Sequence, residues 1–197
     1  DHTIVIKGEV NFCLNGNTLF VKEQEGKISS NGLFVSAEMT LNICDCSQDQ
    51  TGRICGMENT ENVRCVVVGN IAELNLYGGN LSDADRAVDL DIRSVFHMYD
   101  GTISDSNYGV YSYVAKIYMH GGTISGCERG MSGRCFDAEL SQDSLITDCT
   151  YGIDLVQSPQ NIRLGGTIRN CKIGFNKGLL QETGVVENCR IGGYDSV

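Results

Sequence analysis

A short phrase that keeps returning restricts this chain more than any other feature. Gly101-Thr102-Ile103-Ser104, Gly122-Thr123-Ile124-Ser125 and Gly166-Thr167-Ile168-Arg169 are copies of one unit. With the apolar third position as marker, the series runs Ile28, Ile54, Leu81, Ile103, Ile124, Ile146, Ile168 and Val186, at spacings of 26, 27, 22, 21, 22, 22 and 18 residues. Six residues after the marker a second column appears in the later copies, Gly109, Gly130, Gly152, Gly174 and Gly192, with Ala87 one copy earlier. Each unit reads as a strand, a Gly-Gly or Asp-Gly corner, a short Thr-Ile strand, an Asx corner and a Gly-apolar strand. Several short alternating strands per copy, with no apolar spacing of helical period, describe a coil of β-strands stacked on itself.

One such turn cannot bury its inward side chains alone. Stacked turns can, because equivalent residues then lie roughly 4.8 Å apart and form apolar ladders. The 24 glycines supply positive φ at tight corners, and the single proline leaves backbone N–H groups free to bond the next turn. The sequence therefore predicts an all-β, single-stranded parallel β-helix of about eight coils. It forms one domain over residues 1–197, with 1–25 as an N-terminal cap or first coil. The two longest rungs carry polar stretches at 47–51 and 58–62, which read as loops leaving one corner.

Composition removes several function classes. Fifteen Lys and Arg against 25 Asp and Glu give a net charge of −10, so neither nucleic acid nor an anionic membrane is an expected partner. Unbroken apolar runs are no longer than stretches such as Cys65-Val66-Val67-Val68, too short to cross a membrane. No basic and then apolar leader opens the chain, so Asp1 reads as the start of a trimmed product. Only 11 residues follow the last marker, which predicts either further coils or self-association through an uncapped coil end.

Ile146-Thr147-Asp148-Cys149, Ile168-Arg169-Asn170-Cys171 and Val186-Glu187-Asn188-Cys189 resemble the core phrase of right-handed parallel β-helix repeats of the pectin-lyase-like kind. The stretches from Phe12 to Leu19, from Leu41 to Ser47 and from Thr51 to Ile54 are similar to the start of adhesin-like surface proteins of gut bacteria. The resemblance implies a right-handed β-helix and an extracellular or cell-surface location. It also implies a role in adhesion or structural display, with a glycan or a host or cell-surface protein as partner. The same coil also serves lyases and hydrolases, so a carbohydrate-active enzyme is the alternative.

Residue columns supply the candidate sites. Cys127, Cys149, Cys171 and Cys189 stand three residues after successive markers and read as a buried thiol ladder, since free Cys packs as a small hydrophobe. Elsewhere Cys13 with Cys44, or Cys55 with Cys65, are candidate bridges. No C-x-x-C occurs, and Cys44-x-Cys46 on a strand would send its thiols to opposite faces, which argues against a zinc knuckle. Two residues after the marker stand Asp83, Asp105, Gly126, Asp148, Asn170 and Asn188. That column suits an Asx ladder at a corner. Asp83 and Asp105, on adjacent rungs, are the candidates for a metal, with Ca²⁺ the cofactor they would take.

Tyr77, Tyr99 and His120 precede the glycine corners on three successive rungs, with Tyr108, Tyr111, Tyr113 and Tyr118 nearby. They are the candidate ligand-binding column, exposed rings being able to grip sugars. His97 and His120 lack a carboxylate and nucleophile pattern and read as surface residues. An enzyme on this scaffold would use Asp83 and Asp105 with Arg86, Arg93 or Arg129. These candidates form none of the acidic-pair, His-Gly or Arg-x-Pro-x-x-Arg-like signatures of the pectin-lyase-like enzymes, which favours a non-catalytic chain.

Overall fold

The computed structural model describes residues 3–23, 29–57, 61–156, 162–176 and 179–193. Two parallel sheets coil around one apolar interior, the parallel β-helix expected from the repeat. The narrower sheet has eight strands in one stack, Thr18–Val21, Arg53–Gly56, Asn80–Ser82, Thr102–Ser104, Thr123–Ser125, Leu145–Thr147, Thr167–Arg169 and Val185–Glu187. In register these strands align Leu19, Ile54, Leu81, Ile103, Ile124, Ile146, Ile168 and Val186.

The ladder thus begins at Leu19. Ile28, the expected first marker, lies outside the described residues. The first rung is longer than its successors, 35 residues from Leu19 to Ile54; like the next rungs it passes through two strands before returning to this sheet, and its extra length lies in the connections from Val21 to Ser30 and from Cys44 to Arg53.

Among the described residues the wider sheet has fifteen strands and covers two faces of the coil. One face runs through Ser30–Val35, Val63–Val68, Arg86–Leu90 and the first half of the twelve-residue strand Tyr108–Met119. The other runs through Val10–Cys13, Thr40–Cys44, Glu73–Leu76, Val95–Met98 and the second half of that same strand. The two faces meet at a corner where Glu38, Ile71, Arg93 and Val114 have φ of 65°, 59°, 59° and 64°. Left-handed backbone is unfavourable for β-branched Ile71 and Val114. Bonds between turns hold the corner in place: Glu38 N–H to Asn70 O, Ile71 N–H to Ile92 O and Arg93 N–H to Val114 O, at 3.3, 3.3 and 2.9 Å.

Inward columns fill the interior. Leu74, Phe96, Ile117, Ala138 and Ile162 stack in register behind one face, and Val66, Val88, Val110, Met131 and Ile153 behind the other, all buried. Each fully buried aliphatic side chain is worth about 1.5–3 kcal/mol over its exposed form. The second glycine column has a different cause from the corner glycines. Gly101 and Gly122 bend the chain with φ of 93° and 80°, whereas a Cβ on Gly130 would fall 2.6 Å from the carbonyl oxygen of Gly152 and 3.1 Å from Ile146 Cγ2. Close packing of coils, not a left-handed bend, demands glycine there.

Candidate functional site

Tyr77, Tyr99 and His120 come together as expected. They follow the inward column Leu76, Met98 and Met119 by one residue on successive strands, so their side chains stand outward from one face. The rings of Tyr77 and Tyr99 stack with centroids 4.7 Å apart and planes within 4°, and Tyr99 and His120 stack at 4.7 Å and 13°. That spacing is the interstrand distance itself, about 4.8 Å. The rings therefore turn their faces to one another and their edges and polar tips to solvent. Tyr77 and Tyr99 remain 47% and 41% exposed.

A second row runs beside the first, two residues earlier on each strand. Asn11, Asn42, Asn75, His97 and Tyr118 are in register, and the amides form a ladder: Asn42 Nδ2 donates to Asn11 Oδ1 at 2.8 Å and Asn75 Nδ2 to Asn42 Oδ1 at 3.0 Å. His97 ends this ladder and joins the stack, lying 5.0 Å from Tyr118 and 5.3 Å from His120 between ring centres. Its Nδ1 is 3.0 Å from His120 Nε2, a hydrogen-bond distance at which the tautomer decides which ring donates. Burial holds the His97 imidazole below its ordinary value, Glu73 opposes that shift and His120 adds to it. His97 is thus part of the cluster rather than a lone surface residue. Tyr118 donates to Asp137 Oδ2 at 2.9 Å, and burial together with that carboxylate pushes its phenol up to about 12.

Tyr108, Tyr111 and Tyr113 belong elsewhere. The left-handed corner at Val114 separates them from Tyr118 and places them on the neighbouring face with the arginines. Arg64, Arg86, Tyr108, Arg129 and Tyr151 form one outward register column. The guanidinium of Arg86 lies 3.9 Å from the centre of the Tyr111 ring, and that of Arg129 lies 5.5 and 5.2 Å from Tyr108 and Tyr151. Asp89 receives both Arg64, at 2.8 Å, and Arg86, at 3.2 Å, while Asp154 receives Arg129 at 3.1 Å. A groove of about 360 Å³ opens here, lined by Arg64, Val67, Arg86, Asp89, Leu90, Asp91, Tyr111 and Tyr113. The sequence marks Arg86 and Arg129 but not Arg64. Arg93 is apart from them, at the left-handed corner.

Asp83 and Asp105 sit at another corner and form its bend. Asp83, Asp105, Gly126, Asp148, Asn170 and Asn188 all have φ between 51° and 64°. Asp and Asn tolerate this conformation better than other non-glycine residues. Backbone N–H groups of Asp105, Asp148 and Asn170 bond carbonyls one rung on, at 3.1–3.2 Å, and Ser82 and Thr147 hydroxyls donate to Asp83 and Asp148 at 2.7 Å. Next to this corner the expected thiol column is stacked and unbridged, with Cys127, Cys149 and Cys171 buried and Cys189 half-buried.

The cysteine pairing differs from both expected bridges. Cys13 is bonded to Cys46, and Cys44, Cys55 and Cys65 are free. The reason lies in where the strand stops. Thr40–Cys44 ends at Cys44, and Asp45 starts a turn that folds Cys46 back, so the thiols of Cys44 and Cys46 do not diverge. Asp45 anchors that turn, accepting from Gly16 N–H at 2.8 Å, Ser47 N–H at 3.1 Å, the Ser47 hydroxyl at 2.9 Å and Gly52 N–H at 2.6 Å. Loss of water around its carboxyl pushes the value up, but these four donors together outweigh it and hold Asp45 below the ordinary carboxylate range.

No protein-family model matches the chain, and no curated protein or solved structure is detectably similar to it.

Proposed function

We propose that this chain is a non-catalytic part of an exported bacterial surface protein, a right-handed β-helix of the pectin-lyase-like kind, acting in adhesion or structural display at the cell surface. Its partner is a glycan or a host or cell-surface protein, reached through the Tyr77, Tyr99 and His120 row. The observation that carries this reading is the exposed ring stack on a rigid sheet. Tyr and His offer an apolar body and a polar tip with few rotatable bonds, the residue chemistry that recurs in binding surfaces. Because the ring faces are stacked on one another, contact runs through hydroxyl and imidazole edges, at a repeat of 4.7 Å. The corner duties of Asp83 and Asp105 support a structural role for the acids that an enzyme or a Ca²⁺ site would have used.

The test is incubation with a panel of host and plant polysaccharides and immobilised cell-surface proteins, with and without Ca²⁺, scoring bound protein and released sugar ends together. The expected result is saturable retention without release, weakened roughly 10-fold or more by Tyr77→Ala with Tyr99→Ala, as for loss of hot-spot aromatics. Unchanged retention in that variant would remove the stack as the contact.

A carbohydrate-active enzyme is the second reading, and one observation favours it. The groove beside Arg86 brings Asp89 and Asp91 together with Arg64 in one concavity. Release of reducing or unsaturated ends, abolished by Asp89→Asn, would establish it in place of the binding role.

A further inference from the structure

Three cysteines converge where a structural bridge needs only two. Cys13 and Cys44 are register partners on adjacent parallel strands, and the Asp45 turn returns Cys46 to the same place. The three sulfurs all lie within 4.8 Å of one another, the only such group of three or more metal-ligating side chains among the described residues. A free thiol held against a disulfide adds nothing to the bridge itself. It does complete a set of three soft donors.

We propose that Cys13, Cys44 and Cys46 form a redox-gated site that binds one soft metal ion, of the Zn²⁺, Cd²⁺ or Cu⁺ class, when the disulfide is reduced. Three sulfurs bound at about 2.3 Å to a tetrahedral ion stand about 3.8 Å apart. Sulfurs already gathered within 4.8 Å reach that separation by small side-chain rotations once the S–S bond opens. The surroundings suit thiolates. The Cys46 N–H points at Cys13 Sγ at 3.3 Å, a bond that stabilises charge on a metal-bound sulfur. Cys46 is exposed, so an ion has an entry path and a fourth position open to water or to a partner's donor. The turn is rigid, because Asp45 ties it to Gly16, Ser47 and Gly52 independently of the bridge.

The gating step balances without any group of the protein acting as oxidant. A phosphine reductant supplies two electrons to the Cys13–Cys46 bond, each sulfur gains a proton from water, and the phosphine becomes its oxide. Metal binding then displaces the thiol protons. In the oxidised chain only Cys44 is left as a thiol, and the site is closed.

The experiment uses the full chain, reduced with a phosphine under inert gas, titrated with Cd²⁺ and followed by thiolate-to-metal charge-transfer absorption and by thermal melting. The expected result is saturation at one Cd²⁺ per chain with a raised melting temperature. Cys44→Ala should lower the affinity by roughly 10-fold or more, the scale on which metal sites respond to lost support. Cys189→Ala, in the remote thiol column, should bind like the parent, and the oxidised chain should not bind. The proposal is overturned if the reduced chain shows no saturable absorption. It is equally overturned if Cd²⁺ raises the melting temperature of the parent and of Cys44→Ala by the same amount. Neither result depends on glycan retention.

Discussion

Ser106 and Cys127 occupy one position on consecutive rungs and make one bond. The Ser106 hydroxyl donates to the carbonyl of Ser104 at 3.0 Å, and the Cys127 thiol donates to that of Ser125 at 3.4 Å. Cys149, Cys171 and Cys189 repeat it with Thr147, Arg169 and Glu187, at 3.3, 3.3 and 3.4 Å. The position takes a small side chain, Ala84 one rung before Ser106, and from Ser106 onward one with a hydrogen to give to its own corner, so sulfur chemistry does not define it. Sulfur is the larger of the two atoms that meet this need, and it adds apolar contact.

Thiol reactivity should follow that burial. The bond with Cys127, and after it burial, pushes the Cys149 thiol up to about 12, although a bond with Cys171 opposes the shift; Cys171 rises through its bond with Cys149 and then burial, whereas the bond with Cys149 lowers Cys127, which only its burial keeps from a reagent. Only the thiolate reacts with disulfide reagents. In native protein at pH 8, the half-buried Cys44 and Cys189 should label first, while Cys55, Cys65, Cys127, Cys135, Cys149 and Cys171 label only on unfolding. Recovery of Cys127, Cys149, Cys171 and Cys189 in oxidised form would contradict the ladder. Cys149→Ala should destabilise the fold by about 1 kcal/mol, and Cys149→Leu by about 1–3 kcal/mol through overpacking, both read as urea midpoints.

The glycine column makes a sharper claim. Gly130→Ala places a methyl against the backbone of the next coil, 2.6 Å from Gly152 O, and backbone cannot turn aside as a flexible side chain does. A loss of about 1–3 kcal/mol is expected. Gly8→Ala is the matched control, since nothing lies within 4 Å of a methyl there. Equal midpoints for the two variants would refute the close-approach account.

Asp45 links the first coil to its long corner through three backbone donors and one hydroxyl. Asp45→Asn replaces an acceptor with a donor that faces other donors, so the urea midpoint at pH 7 should fall. The carboxyl is depressed in the folded chain, so its stabilisation is complete above the unfolded value of about 3.9 and is lost as pH falls through the folded value. The gap between parent and variant should therefore close on acidification below about pH 4. A gap independent of pH would point to lost shape rather than lost charge.

What the sequence revealed depended on whether a column keeps its residue type. The inward marker column is Ile in most copies, so its ladder, the glycine column behind it and the cysteine column beside it were all visible at a period near 22 residues. Outward columns change type part-way along the stack. Asn75 gives way to His97 and then Tyr118, so nothing in the spacing tied His97 to Tyr99 until the strands were in register. Arg64, Arg86, Tyr108 and Arg129 share a column for the same reason without looking like one. Leu19 was missed because a rung of 35 residues falls outside the period, and a nearer Ile took its place. The Cys13–Cys46 bridge is not legible in the sequence because strand alternation stops at Cys44, where the strand ends.

The pair of imidazoles gives the aromatic row its own pH dependence. His97 Nδ1 and His120 Nε2 face each other across 3.0 Å, and protonating both would place two positive charges side by side. Burial, with His120 adding and Glu73 opposing, holds the folded His97 below its ordinary value near 6.5. The unfolded chain then binds the proton first as pH falls. Stability is therefore whole above about pH 6.5 and declines as pH drops from there toward the folded value of His97. His97→Gln cannot take up that proton, so the decline should disappear in the variant while the parent keeps it. The measurement is the urea midpoint from pH 8 to pH 5, with imidazole resonances followed by NMR to assign the step. A His97 resonance that titrates at or above 6.5 in the folded chain would sink this account.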